Sequence, residues 1–283
     1  MIDQLNSGAV GEDGPRVPRE LGRSHVKLLD ELGRGAFGIV YKALLEEPGM
    51  PGYIVACKSL HEANQGGAMR ELLEEAAVTA QFVHPNVVHL IGVVSVGKPL
   101  LVVLGFCERG SLKSYLEENG PMVSDEQRAY FAFQCASGME HVASFGFIHR
   151  DIAARNILLA SDLSCKVSDF GLARESPNTD DSHAAYYRSR SGNLPVRWSA
   201  PEALEDQKFS HASDSWGFGI LMYEIYTDAE MPYKGWSNQR VWVEVSAGFR
   251  LPRPETCHES VYEIMMDCWM HTPADRPTFS DIV

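Results

Sequence analysis

Between Val26 and Phe106 the apolar residues come in short runs separated by turn signals. VKLLDEL, IVYKAL, YIVACKSL, VVHLIGVV and LLVVLGF are such runs, with Pro48-Gly49 and Pro51-Gly52 punctuating one connection. They predict about five mostly half-buried strands. One segment of helical period interrupts them: in GAMRELLEEAAVTAQFV, Leu72, Ala76 and Thr79 fall on one face. After Phe106 the period changes. ERGSLKSYLEEN and SDEQRAYFAFQCASGMEHVASFG read as helices, the second opened by Ser124 and Gln127 as a capping box. DSWGFGILMYEIY, NQRVWVEVSAG and VYEIMMDCWM continue the helical pattern. The reading is an α+β chain in three parts. Residues 1–24 are a flexible leader rich in Gly, Pro and charge, 25–104 a small β-rich part with one helix, and 105–283 a larger helical part joined near Gly105. The chain stops at DIV inside a helical pattern, which reads as a fragment of a longer protein.

Composition narrows the classes. At 283 residues, 45% apolar and 22% charged, the chain has the make-up of a folded protein large enough for two compact parts. A formal charge of −13 argues against general nucleic-acid affinity. The six cysteines show no CxxC pair or Cys/His metal spacing, as expected of reduced, packed thiols in a cytoplasmic protein. The N-terminal residues have no apolar core and are not a signal peptide. Val87 to Phe106 approaches the ~20 residues a bilayer requires, but Lys98 and Pro99 interrupt it, so a hairpin is expected and no membrane contact within this stretch of chain.

Chemistry-bearing residues occur in an ordered series. Gly33, Gly35 and Gly38 lie between two strands, where glycine lets backbone N–H groups approach a phosphate. A dinucleotide-binding unit would place a helix after such glycines; here Ile39 to Leu44 reads as a strand. Lys58 follows in a strand, and the helix beyond carries Glu74 and Glu75, either of which could hold a buried ammonium charged. Gly92 to Pro99 matches GxxxxGK, but Pro99 replaces the metal-binding hydroxyl and no helix follows, so it is no P-loop. The decisive segment is His149-Arg150-Asp151-Ile152-Ala153-Ala154-Arg155-Asn156, followed by Asp169-Phe170-Gly171 and Ala200-Pro201-Glu202.

With these motifs in order, the chain resembles the eukaryotic protein kinase family from residue 25 to 283. The resemblance implies the bilobal kinase fold, with ATP and Mg²⁺ (Mn²⁺ as the alternative) as cofactors. It implies that Gly33, Gly35 and Gly38 cover the phosphates, and that Lys58 holds them while paired with Glu75. Asp151 would accept the substrate proton, with Arg155 beside it in the catalytic loop, and Asn156 and Asp169 would bind the metal ion. Val40, Ala56 and Leu158 would enclose adenine, Leu104 would guard the pocket behind it, and Gly105, Phe106 and Cys107 would form the linker that hydrogen-bonds it. Arg150 would meet an activation-loop phosphate, Phe170 would have a regulatory role, Glu202 and Arg276 would form a buried ion pair, and Asp214 would brace the catalytic loop.

Ile152-Ala153-Ala154-Arg155 and Pro195-Val196-Arg197-Trp198 are similar to the tyrosine kinase group, the receptor type more than the cytoplasmic type. The implied partners are tyrosine-containing proteins and a transient second copy for trans-autophosphorylation. The implied location is the cytoplasm, as a free protein or as the inner domain of a membrane receptor. Tyr186 and Tyr187 are the alternative loop sites. The sequence departs from the family pattern at Thr79, whose hydroxyl is expected to loosen packing, and at Gly105, whose lack of a side chain is expected to loosen the linker without removing its backbone contacts. The rival reading is a pseudokinase scaffold or allosteric module, which would predict loss of Lys58, Asp151 or Asp169.

Overall fold

The computed structural model describes residues 14–35, 38–60, 67–176, 187–188 and 195–283. The chain divides into two compact units: residues through Glu108 with Asp169–Gly171, and Arg109–Ser168 with Leu172–Val283. The expected division at residues 104 and 105 is therefore displaced. Residues 105–108 stay with the first unit because the Gly105 N–H bonds His89 O at 2.9 Å and Lys42 lies 5.5 Å from the Phe106 ring centre.

The first unit is built on a five-stranded antiparallel sheet. Its strands β1 (Val26–Gly35), β2 (Gly38–Leu45), β3 (Tyr53–Ser59), β4 (Leu90–Val94) and β5 (Leu101–Gly105) run in the order β1-β2-β3-β5-β4. The hairpin expected over Val87–Phe106 is the β4–β5 pair. Strand alternation divides the buried residues between two faces. Ala43, Leu45, Val55, Cys57, Leu101 and Val103 pack on one side with Leu21 and Val26. Helix α1 (Gly67–Thr79) covers the other, setting Leu72 and Ala76 against Leu90, Val93, Leu100 and Val102. The helix buries Leu72, Ala76 and Thr79, the three positions its sequence period selects.

The flexible leader expected through residue 24 is corrected from about residue 16 onward. Arg19 O accepts from Val93 N and Leu21 N donates to Val93 O, so this stretch pairs beside β4 while Leu21 is buried. Glu20 fixes the pairing by accepting from Ser95 N and Oγ, each at 2.8 Å. A Gly92 side chain would strike Arg19 O at 2.5 Å, so the bare backbone there lets the segment lie close.

The second unit is mainly helical: α2 (Leu112–Asn119), α3 (Asp125–Ser144), α4 (Pro201–Glu205), α5 (His211–Tyr226), α6 (Asn238–Ser246), α7 (Glu259–Cys268) and α8 (Phe279–Ile282). Short antiparallel pairs accompany them: β6 (Phe147–Ile148) with β9 (Arg174–Glu175), β7 (Ile157–Leu159) with β8 (Cys165–Val167), and β10 (Tyr187–Arg188) with β11 (Lys208–Phe209). Ser124 caps α3 by accepting from Gln127 N. Helix α5 is buried on nearly every side, the mark of a helix inside a core. Its Trp216, Phe218, Ile220, Leu221 and Ile225 are fully buried, each contributing roughly 1.5–3 kcal/mol. A Gly219 side chain would meet Trp269 Nε1 at 2.6 Å, so glycine there allows the close approach of α5 to the end of α7. All six cysteines are free thiols. No helix among the described residues is long and apolar enough to cross a membrane.

Candidate active site

In the first unit, sheet register gathers one set of residues. Val40 pairs with Lys58 across β2 and β3, and Leu104 pairs with Ala56 across β5 and β3. Because Ala56 and Lys58 are two apart on one strand, Val40, Ala56, Lys58 and Leu104 share the face that α1 covers. Lys58 Nζ donates to both Glu75 oxygens, at 2.6 and 2.7 Å, and to Asp169 Oδ1 at 3.3 Å. Glu74 turns instead to Arg70 at 2.7 Å, so side-chain direction agrees with the Lys58–Glu75 pair that the resemblance implies. Burial opposes the Lys58 charge, but the two carboxylates outweigh it and hold its pKa above the usual value. Phe170 is buried with its ring centre 5.0 Å from that of Phe82, beneath the residues that carry Asp169.

The glycine turn leads from β1 into β2. A side chain at Gly38 would fall 1.9 Å from Ser59 O, so only a bare backbone passes there. Gly33, by contrast, has open space around its α-carbon. Thr79 and Gly105 are the positions where the sequence departs from the family pattern. The Thr79 hydroxyl donates to Glu75 O at 2.7 Å, so it is satisfied on its own helix and does not stand unpaired in the packing. Gly105 is held by the His89 carbonyl and by pairing with Val55, so the missing side chain does not free its backbone. Its N–H is thereby committed, while Phe106 and Cys107 follow it half-buried.

In the second unit, Asp151 stands in a loop held from below by α5. Asp214 accepts the backbone N–H of His149 at 2.7 Å and of Arg150 at 2.8 Å. Arg150 has φ 72°, a conformation costly for a side-chain-bearing residue, and these bonds hold it there. Its guanidinium lies 4.2 Å from the Phe209 ring centre. Asn156 gives its amide hydrogens to Asp151 O and Oδ2, both at 2.8 Å. Arg155 bonds Asp151 Oδ1 and stacks 4.3 Å from the Trp198 ring centre. Arg276, with a fully buried side chain, gripped Glu202 at 2.7 and 2.9 Å and lies over Trp216 at 5.0 Å. Leu158 lies half-buried in β7.

The family model for protein tyrosine and serine/threonine kinases matches residues 26–283. The chain belongs to that family. Among its relatives, ephrin type-A receptor 7 of Gallus gallus is 42% identical over 265 residues, covering 94% of this chain and 26% of the relative. Ephrin type-A receptor 5 of Rattus norvegicus is 41% identical over 276 residues, covering 96% and 27%. Ephrin type-B receptor 1 of Gallus gallus is 40% identical over 265 residues, covering 94% and 27%. The chain thus spans about a quarter of the length of these relatives.

The kinase family works with ATP and a divalent metal, and the residues present fit both. Asn156 uses its amide hydrogens on Asp151, so its remaining side-chain group is an oxygen. Asp169 is half-exposed, with φ 63°. Each is an oxygen donor of the kind a hard cation accepts as a ligand. Among the described residues no cluster of three or more His, Cys, Asp or Glu side chains could hold a metal alone. Tyr186 lies outside the described residues. Tyr187 pairs through its backbone with Phe209.

Sequence reasoning passed over Glu224. It is 1% exposed on α5, and its Oε2 accepts Ala154 N at 2.9 Å and Trp198 Nε1 at 3.0 Å. Burial pushes its pKa up to about 6 against these two bonds and the nearby Arg155 and Lys113 charges. The available signal was a lone acid inside the apolar run ILMYEIY. Arg128 was also passed over. It is buried and donates to Gly120 O and Asp228, closing the turn before α3 on the one after α5.

Proposed function

We propose that this chain is the catalytic domain of a protein tyrosine kinase, transferring the γ-phosphoryl of ATP to tyrosine hydroxyls of protein substrates. The observation that carries the reading is the arrangement of Asp151, Arg155 and Trp198, in which one guanidinium bonds the carboxylate and stacks on the indole. A carboxylate beside a flat aromatic platform suits a phenol as acceptor.

In this reading Asp151 accepts the proton of the substrate hydroxyl, and Lys58, kept charged by Glu75, holds the nucleotide phosphates. Gly33, Gly35 and Gly38 present backbone N–H groups to them. Val40, Ala56, Leu104 and Leu158 contact adenine, with Gly105, Phe106 and Cys107 as its polar edge. Asn156 and Asp169 supply oxygen ligands for Mg²⁺, with Mn²⁺ as the alternative; the ion neutralises phosphate charge. A pseudokinase is disfavoured because Lys58, Asp151 and Asp169 are all present and engaged. Activation would follow trans-autophosphorylation at Tyr186 or Tyr187 by a second copy, the phosphate meeting Arg150. The relatives are named receptors, which supports placing this domain on the cytoplasmic side of a membrane receptor.

The test is incubation with Mg-ATP and poly(Glu,Tyr), followed by phosphoamino-acid analysis, beside Asp151→Asn. Phosphotyrosine from the wild type alone is the expected result. Phosphoserine would reassign the acceptor. ATP binding without transfer, even after pre-incubation with ATP, would favour the scaffold.

A further inference from the structure

Glu224 joins two segments of the second unit through one oxygen. One is the turn at Ala154, next to Arg155; the other is the segment ending in Trp198. The same two segments meet again where the Arg155 guanidinium lies on the Trp198 ring. Ala154, Arg155, Trp198 and Glu224 thus form a closed ring of contacts, and Arg155 carries it on to Asp151. Helix α5 does not require an acid here for packing, since its neighbours Ile220, Leu221, Met222 and Ile225 are all buried and apolar. Burying a carboxylate opposes folding unless donors compensate, and the donors present are one on each segment.

We propose that Glu224 is a positioning residue for tyrosine phosphorylation, fastening the Trp198 indole and the Arg155-bearing turn in one register so that the acceptor ring is presented to Asp151. This inference rests on the tyrosine kinase reading above. Its effect falls on the protein substrate and not on ATP, because the groups Glu224 holds are Trp198 and the Asp151 loop.

The experiment compares wild type, Glu224→Gln, Glu224→Ala and Trp198→Phe in the full 283-residue chain. ATP and poly(Glu,Tyr) are varied separately. Glu224→Ala is expected to raise KM for the polymer and lower kcat, with kcat/KM falling on the order of 10- to 100-fold, as small misplacements do. KM for ATP stays at the wild-type value. Glu224→Gln recovers most of the loss, since an amide oxygen still accepts both N–H groups. Trp198→Phe keeps a ring under Arg155 but removes the donor, and the Glu224→Ala/Trp198→Phe double variant is no worse than the poorer single.

A second reading is independent of turnover. The indole N–H resonance of Trp198, identified by its absence in Trp198→Phe, should exchange slowly with solvent in wild type and Glu224→Gln and quickly in Glu224→Ala. An unchanged polymer KM and unchanged indole exchange in Glu224→Ala would overturn the proposal, as would a loss shared equally by ATP. If Glu224→Ala does not fold, the polymer KM of Trp198→Phe decides: a rise supports the proposal and a wild-type value overturns it. If the wild type transfers no phosphate, the tyrosine kinase reading fails, while indole exchange still decides whether Glu224 holds Trp198.

Discussion

Lys58 in the first unit and Asp151 in the second are both charged groups kept in place, but by different means. Lys58 relies on Glu75, which reaches it from a separate helix resting on the sheet through a few apolar side chains. Asp151 relies on a loop whose backbone is bonded to Asp214 and Glu224, both inside the core helix α5. An ion pair between two elements is undone by moving one of them. Hydrogen bonds anchored on a buried helix cannot be undone without disturbing the core. The physical difference therefore makes the first set adjustable and the second rigid.

The sharpest way to break that contrast is to remove each charge in turn. Asp151→Asn should cut kcat by about 10³-fold, the scale of a lost general base, while leaving ATP affinity intact; unchanged transfer would remove Asp151 from the mechanism. Lys58→Met should cost about 10²-fold or more in kcat/KM, measured with the same polymer. Its stability in urea should fall by less than that of Arg276→Met. That second substitution leaves Glu202 without its fully buried partner and should cost roughly 3–5 kcal/mol. A reversal of that order would mean the Lys58 pair, not the Arg276 pair, is structural.

A finer test uses pH. Folding raises the Glu224 carboxyl from its usual 4.5 to about 6, so the folded state holds this proton more tightly than the unfolded chain. The resulting destabilisation is absent below about pH 4.5, develops up to about pH 6 and is complete above it. Glu224→Gln should therefore be more stable than wild type by roughly 2 kcal/mol at neutral pH, the advantage shrinking as the medium is acidified. A difference independent of pH in urea titrations would show that the carboxylate ionises without a burial cost. The smallest effect is expected from Thr79→Val, which removes only a bond to a carbonyl of its own helix. It should alter stability by no more than about 0.5 kcal/mol; a larger loss would show that this hydroxyl helps hold Glu75 in place.

Much of this was legible in the residue pattern. The five strands, the hairpin within Val87–Phe106 and the buried face of α1 follow from period alone, because local burial imposes that period. The motifs that carry the family resemblance were legible because their residues lie close together in sequence around Asp151 and Asp169. Residues whose partners are distant in sequence were harder to read. The docking of Leu21 beside Val93 looked like part of a leader, since pairing with a strand over seventy residues away leaves no local period. The partners of Thr79 and Gly105, Glu75 O and His89 O, left no signal, because they are backbone carbonyls that every sequence possesses.

The sequence by itself determined the α+β class and the kinase family, because these depend on residue type and local order. Only the tertiary structure decided that residues 105–108 belong with the first unit and that Glu224 ties Trp198 to the turn beside Arg155. Those outcomes depend on side-chain direction and on meetings between distant segments, which packing fixes and composition does not record.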